Sequence, residues 1–465
     1  MSRAISKELE QWGPIDSKIL YHSFFILPWA GKLNSYDIFW PGTFGILDHD
    51  RLTYRWDKVA VERHGLQIIK RWLLPAQIRR QVWKVYMKAK KELNQFQSES
   101  VKELYDKFIQ FWNIALIPET ANYSAPVFLR NQIRKFVPKN NLDEVLEALL
   151  ALDRPSFHQE SDLELFKAGL RARNKKSLTT LLEKHSQNWG WIENSYYETR
   201  RLTRNDFYQR LKGLNKKRLK FEIQKIENYI KSVKKRKADI IKKFKLPKSV
   251  INQAEILSFS IWWQDDRKAE VWRTLYKIDN LLRLTSRKYR ISLNDLQYYT
   301  AEEWVDLDTT GKKLSNDEIN QRKKLCVISM KNKEYKILTG RAAAKIAKKY
   351  QTRNNVNQGS VTGITVSRGP LVIGRARIML SARNPEKMKA GEVLITTMTE
   401  PDYIVLMRKA KAIVTDVGGL MSHAAVVSRE LGVPCIVGTK IATTIFKNGD
   451  RIEVDTSKGM VRKIK

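Results

Sequence analysis

The residues with the clearest chemical potential lie at the end of a largely apolar run, Ala412 to Val417, where Gly418 and Gly419 are followed by Ser422 and His423. Apolar run, glycine pair, capping hydroxyl and renewed periodicity predict a strand, a turn, a helix and a second strand through Val433 to Gly438. His423 then falls in the first helical turn. Backbone N–H groups there lack intrahelical partners and the macrodipole is positive, so an anion on or beside the imidazole is stabilised. Glycines lacking Cβ let the backbone approach that anion. Neutral imidazole is nucleophilic near neutral pH and its phosphoramidate is a good phosphoryl donor. A histidine at a helix start is, however, more often a cap or a packed, hydrogen-bonded side chain, and the local pattern leaves both readings open.

The continuous stretch Gly418-Gly419-Leu420-Met421-Ser422-His423-Ala424-Ala425-Val426-Val427-Ser428-Arg429-Glu430-Leu431-Gly432-Val433-Pro434 resembles the phosphohistidine signature of the phosphoenolpyruvate-utilising enzymes. That family includes phosphoenolpyruvate synthase, pyruvate phosphate dikinase and rifampicin phosphotransferase. Thr399-Glu400-Pro401-Asp402-Tyr403 is similar to the family's Thr-x-Pro-x-aromatic element, with Tyr403 where tryptophan is common. Met421 departs from members that carry a regulatory threonine, so that regulation is not carried over. The resemblance implies that His423 is the phosphorylated, catalytic residue, that Gly418, Gly419 and Ser422 cradle the phosphoryl group, and that Thr415 lines the site. Arg429, six residues on, lies about 240° round the helix from His423 and is read as structural.

The resemblance is good over residues 360–465 and faint before them. It implies an α+β multidomain chain: a mainly helical acceptor- or partner-binding region over 1–350 ending in a small hairpin and helix, a linker at 351–359, and a C-terminal α/β phosphohistidine swivelling domain at 360–465. The family's ATP-grasp and pyruvate-binding modules are not recognisable. The expected phosphate route therefore runs through ATP and Mg held by a separate ATP-grasp protein, or through a phosphodonor metabolite, to a small-molecule acceptor.

Composition sets the outer bounds. The chain has 465 residues, 42% of them hydrophobic and 10% aromatic, which excludes global disorder and allows several cores. The formal charge is +37, with +8 in residues 360–465 and +29 before them. A polyanionic partner such as nucleic acid fits that excess, and so does a merely soluble lysine-rich surface. Cys326 and Cys435 are far apart and outside any metal-ligand spacing, so no metal site and a reducing, cytoplasmic compartment are expected. The early apolar run Ile19 to Ala30 is too short to span a bilayer, and no membrane association is expected.

Along the chain, residues 1 to about 60 are rich in aromatics, including Tyr21, Phe24, Phe25, Trp40, Tyr54 and Trp56, and read as loops with short extended pieces. The aromatics either pack the helical region or line a pocket. Helical spacing runs from Val59 to Leu150, with Pro75, Pro118, Pro126 and Pro138 marking expected breaks, and again from Leu163 to His185. The words around His185, Trp189 and Trp191 resemble the helical domain of stand-alone family members, where these side chains serve either a pocket or the core. Phe207 to Pro247 predicts a basic amphipathic helix whose Lys234-Lys235-Arg236-Lys237 run is either a solvated face or a nucleic-acid contact. Asp265 to Lys268 and Ile291 to Trp304 resemble the segment before the histidine domain, with Ser292 and Thr300 as helix caps.

Overall fold

The computed structural model describes residues 9–30, 36, 38–331, 334–350, 359–420 and 422–464. The fold is α+β, helical in its first part and strand-rich in its last. The helices are α1 (Ile19–Ala30), α2 (Lys58–Ile68), α3 (Ala76–Asn94), α4 (Val101–Ile133), α5 (Leu142–Leu150), α6 (Phe157–Arg171), α7 (Lys175–Trp189), α8 (Arg204–Leu211), α9 (Lys216–Lys243) and α10 (Lys248–Tyr289). Four shorter ones follow, α11 (Leu293–Leu296), α12 (Ala301–Thr310), α13 (Asn316–Lys324) and α14 (Gly340–Tyr350). Near the C-terminus come α15 (Ile404–Met407), α16 (His423–Leu431) and α17 (Ala442–Ile445).

The long helices α4 and α10 pack together at the centre, with α2 and α3 against α4. Their starts and stops follow local chemistry. Ser100 Oγ accepts from Glu103 N, Ser156 and Gln159 form a reciprocal capping box at α6, and Thr300 with Glu303 does the same at α12. Ser292 caps α11 as its sequence implies.

Three expectations are corrected. Pro118 and Pro126 lie inside the 33-residue α4 instead of ending it. Each removes a backbone donor, yet α4 is buried on most sides by Phe111, Ile114, Leu116, Ala121, Ala125 and Leu129, and this packing outweighs the local penalty of about 3 kcal/mol. Residues 19–30 are a helix and not a loop, because Ile19, Leu20, Phe24 and Phe25 are buried in the main core. The periodic stretch from Leu163 to His185 is two helices, since Asn174 stops the first pattern and caps α7 through Ser177 N at 2.9 Å.

An antiparallel sheet closes the helical part, in the order β1 (Leu9–Asp16), β3 (Arg51–Asp57), β2 (Phe44–Asp48), β4 (Leu325–Lys331), β5 (Glu334–Leu338). Strands from both ends of the region share this sheet, since β2 pairs with β4 over Phe44–Asp48 and Leu325–Ser329. The segment expected to link the two parts, 351–358, lies outside the described residues.

The C-terminal part holds strands β6 (Ser360–Thr362), β7 (Ile364–Ser367), β8 (Val372–Ile378), β9 (Val393–Thr396), β10 (Ala412–Thr415), β11 (Cys435–Val437), β12 (Arg451–Asp455) and β13 (Met460–Lys463). Their order is β6-β13-β12-β8-β9-β10-β11-β7. The central strands β8, β9, β10 and β11 are parallel to one another. Parallel strands need apolar cover on both faces, and Val393–Thr396 and Ala412–Thr415 are fully buried runs. Alternate residues divide between two cores. Leu394 and Ile413 pack with Ala424, Ala425 and Val427 of α16, while Val393, Ile395 and Val414 pack with Ala442 and Phe446 beside α17.

Candidate functional site

The turn between β10 and α16 is shaped by a short set of bonds. Asp416 N and Val417 N donate to the carbonyls of Thr396 and Thr397 at 3.1 and 2.8 Å, and the Asp416 carboxylate accepts from Thr439 Oγ1, Thr443 N and Thr443 Oγ1. Gly418 adopts φ +134°, and a Cβ there would lie 3.1 Å from Ser422 Oγ, so the position demands glycine. A Cβ on Gly419 would meet nothing within 4 Å. Ser422 caps α16 by accepting from Ala425 N at 3.3 Å. Arg429 donates to the carbonyls of Val366 and Leu420 at 2.8 and 2.7 Å, tying the end of the glycine turn to β7.

His423 is the first residue of α16. Its Nδ1 stands 2.9 Å from Thr399 Oγ1, while its Nε2 is buried without a hydrogen-bond partner. With Nδ1–H donating to the hydroxyl oxygen, the lone pair resides on Nε2, the nucleophilic atom. Burial, then the nearby positive charge of Lys268 and the imidazole of His158, hold its pKa well below the ordinary histidine value. The ring is therefore neutral at pH 7.

Nε2 belongs to a residue lining a cavity of about 330 Å³ between the C-terminal part and the helical part. Gly418, Gly419, Ser422 and His423 all line it, with Thr399 and Glu400. Thr415 does not: it is fully buried, and its hydroxyl donates to Val417 O at 2.7 Å, bracing the turn from behind. The opposite wall comes from β1, α4 and α10, through Glu10 and Trp12, Glu119, Asn122 and Tyr123, and Gln264, Asp265 and Lys268. Trp40 and Trp56 add an aromatic face, their rings 4.8 Å apart at 85°. Of the early aromatics, Trp12, Trp40 and Trp56 thus line the cavity, whereas Tyr21, Phe24, Phe25 and Tyr54 are core.

Among the described residues lining the cavity, Lys268 is the one Lys or Arg, its Nζ 3.8 Å from Glu400 Oε2. Burial raises the Glu400 pKa, which Lys268 partly offsets, and burial pushes Asp265 up to about 7. Arg267 is occupied by an ion pair with Glu119, and it stacks 4.7 Å over Trp112. His185 and Trp189 both bond Glu164, and Trp191 Nε1 donates to Asn188 O at 2.6 Å, so these three serve packing and do not line the cavity. Among the described residues no cluster of three or more His, Cys, Asp or Glu is placed to hold a metal ion, and no helix is long and apolar enough to cross a membrane.

The two parts meet through polar contacts around the cavity. Asp16 of β1 accepts from Arg51, Arg383 and Ser381; burial alone would raise its pKa, but these bonds outweigh it and hold the carboxyl below its usual value. Glu430 Oε2 accepts from Ser156 Oγ at 3.0 Å, and Arg408 pairs with Asp162. Glu147 of α5 lies between Arg236 of α9 and Arg429 of α16, at 3.2 and 3.7 Å. Met398, Leu420 and Val426, around His423, pack against the helical core.

Sequence reasoning missed Thr399 as the partner of His423, although the Thr-x-Pro-x-aromatic element pointed at it. It also missed Lys268, Glu119 and Asn122, whose convergence needs the helix packing itself.

Comparisons with known proteins match the C-terminal part of the chain. Residues 388–459 match the model described as "PEP-utilising enzyme, mobile domain". The phosphoenolpyruvate synthase of Pyrococcus furiosus is 52% identical over 90 residues, 19% of this chain and 11% of that protein. The phosphoenolpyruvate synthase of Aeropyrum pernix is 46% identical over 102 residues, 22% of this chain and 12% of that protein. Rifampicin phosphotransferase of Bacillus subtilis is 34% identical over 167 residues, 36% of this chain and 19% of that protein. That last match is longer than residues 360–465 and so reaches into the helical part. In each case the chain matches less than a fifth of the relative's length. Residues 388–459 of this chain are thus similar to the mobile domain of PEP-utilising enzymes.

Proposed function

We propose that the chain is a phosphotransferase component in which His423 Nε2 carries a phosphoryl group and passes it to a hydroxyl acceptor held by the helical part. The observation that carries this reading is the position of Nε2: buried, without a hydrogen-bond partner, on a residue that faces a cavity whose far wall belongs to the helical part. Names of the matched relatives, phosphoenolpyruvate synthase and rifampicin phosphotransferase, support transfer to small acceptors.

In the transfer step the acceptor oxygen forms a bond to phosphorus as the bond from phosphorus to Nε2 breaks. The electron pair returns to the imidazole, and the hydroxyl proton passes to Glu400, whose Oε2 has no hydrogen-bond partner and whose raised pKa makes it a competent base. Lys268 offsets the phosphoryl charge, and the helix N-terminus adds to that. Before transfer, residues 360–465 meet a separate ATP-grasp protein that holds ATP and Mg and loads His423. Polar contacts between the two parts suit such reversible docking.

The test is incubation of the full chain with labelled ATP or phosphoenolpyruvate, with and without a candidate ATP-grasp partner. Acid-labile, base-stable label that disappears in His423→Ala supports the reading. Failure of both donors under every partner condition overturns it.

A second reading is a basic binding protein that retains a mobile domain. Its motive is α9, where Lys216, Lys217, Lys220, Lys234, Lys235, Lys242 and Lys243 are exposed along a single helix. Salt-sensitive retention on a polyanion, lost when Lys234, Lys235, Lys242 and Lys243 are neutralised, would favour it.

A further inference from the structure

Helix α9 divides its basic residues between two faces. Those on or beside its packed face are paired: Arg236 with Glu147 at 3.2 Å, Lys237 with Asp153 at 3.1 Å, and Arg218 with Glu222 at 2.6 Å. Those facing solvent are not. Lys216, Lys220, Lys231, Lys234, Lys235 and Lys242 are all exposed and have no ion-pair partner among the described residues. At 100° and 1.5 Å per residue, these side chains fall within an arc of about 100° and along about 39 Å of helix. Glu227 is the one acid in that arc. Lys216 and Lys220, and again Lys231 and Lys235, stand four residues apart, a like-charge spacing that destabilises a helix on its own. An external polyanion would relieve it.

The rest of the helix says which polyanion fits. Leu219, Ile223, Val233 and Ile240 are buried, and α9 packs on α5 and α6, so the apolar face that a membrane-surface helix inserts among lipids is already covered. The same packing holds the lysines in a fixed row. The arc carries no aromatic side chain: besides lysines it holds Gln224, Glu227 and Ala238, while Phe221 lies outside it with the Arg218 guanidinium 5.0 Å from its ring centre. Proteins that hold single strands stack bases on aromatic rings, and this surface offers none. What it offers is a line of compact point charges about as long as one turn of a duplex, whose phosphates form an equally fixed lattice. Contacts of that kind position a duplex and read no sequence.

We infer that the lysine arc of α9 binds double-stranded nucleic acid through its phosphates, independently of base sequence. This inference deepens the second reading above by naming the partner, and rests on its premise that the α9 charges meet a polyanion. No residue of α9 lines the cavity at His423, so the arc is a separate site and does not depend on phosphotransfer. Each lysine that meets a phosphate releases a counterion from the duplex, and that release drives association.

The test is fluorescence anisotropy with the full chain and labelled duplexes of two unrelated sequences, each about two helical turns long, at about 50 to 150 mM potassium chloride. Both sequences are expected to bind equally. The logarithm of Kd should rise with the logarithm of salt with a slope of about 3.6 to 5.4, for four to six counterions released at about 0.9 each. Lys234→Gln, Lys235→Gln and Lys242→Gln combined should lower that slope by about 2.7 and weaken binding at least tenfold at the lowest salt. Glutamine matches lysine in helix propensity, so this variant keeps its fold, which circular dichroism checks. A control with the same loss of charge, Lys84→Gln, Lys88→Gln and Lys91→Gln on exposed positions of α3, should change affinity less than twofold. A slope below about 2, equal losses in the two variants, or tighter binding to a single strand, to phosphatidylserine vesicles or to poly-glutamate overturns the inference. His423→Ala is expected to bind duplex as the wild type does. Duplex binding without labelling of His423 would sink phosphotransfer alone; labelling without duplex binding would make the arc a solvated surface only.

Discussion

Thr399 Oγ1 lies 2.9 Å from His423 Nδ1, joining the loop after β9 to the first turn of α16. With Nδ1–H donating to the hydroxyl oxygen, this bond leaves Nε2 free to attack phosphorus. Thr399→Val removes the acceptor while keeping the shape, and loss of one such bond costs about 1 kcal/mol. Labelling of His423 is expected to slow by roughly fivefold. Thr399→Ser should recover most of the rate. Equal rates for the valine and serine variants would show that the hydroxyl does not act on the ring.

The two glycines of the turn should respond differently to alanine. Gly418→Ala forces a side chain into φ +134° and against Ser422, a strain of about 1–3 kcal/mol, and should lower both thermal stability and labelling. At Gly419 the new methyl group enters open space. Gly419→Ala should keep the melting temperature while reducing acceptor binding, because that space is the cavity.

Lys268 separates loading from transfer. It stands on α10, so Lys268→Met should leave phosphorylation of His423 by a separate donor intact. Transfer to the acceptor should fall by about 100-fold, the usual effect of losing one preorganised charge partner. Single-turnover decay of labelled protein measures this, and equal losses in both half-reactions would contradict it.

Docking should weaken as pH rises. Glu430 is buried against Ser156 at the junction, with Asp265 also raising its pKa, which stands at about 8 against an ordinary value near 4.5. A carboxyl whose pKa is higher when docked holds its proton there. Its contribution is full below pH 4.5 and is lost progressively as pH climbs through about 8. Glu430→Gln should flatten that slope and favour the docked form at pH 8. Energy transfer between labels on Lys175→Cys and Lys458→Cys reads the change, since Cys326 and Cys435 are buried.

Half of the site was legible in the sequence because it is contiguous. Gly418, Ser422 and His423 lie within six residues of one another, and strand, turn and cap all follow from local chemistry. The other half was not, because Glu10, Asn122, Lys268 and Glu400 come from four separate segments, β1, α4, α10 and the loop after β9, and meet only through tertiary packing. Thr415 shows the limit from the other side: it sits beside the turn in sequence, yet strand alternation and its bond to Val417 O direct it away from the cavity. Pro118 and Pro126 misled for a related reason, since a proline's local cost is visible in sequence and the burial that outweighs it is not.

The shared sheet of the helical part has a consequence for how the chain can be divided. β2 is flanked by β3 on one edge and by β4, nearly three hundred residues later, on the other. A fragment cut before Leu325 would leave the β2 edge with unpaired backbone groups and remove Val327 and Ile328 from their cores. Such a bare edge invites intermolecular strand pairing. A soluble helical fragment is therefore expected only when its cut falls after Leu338, and the fragment ending before Leu325 should aggregate.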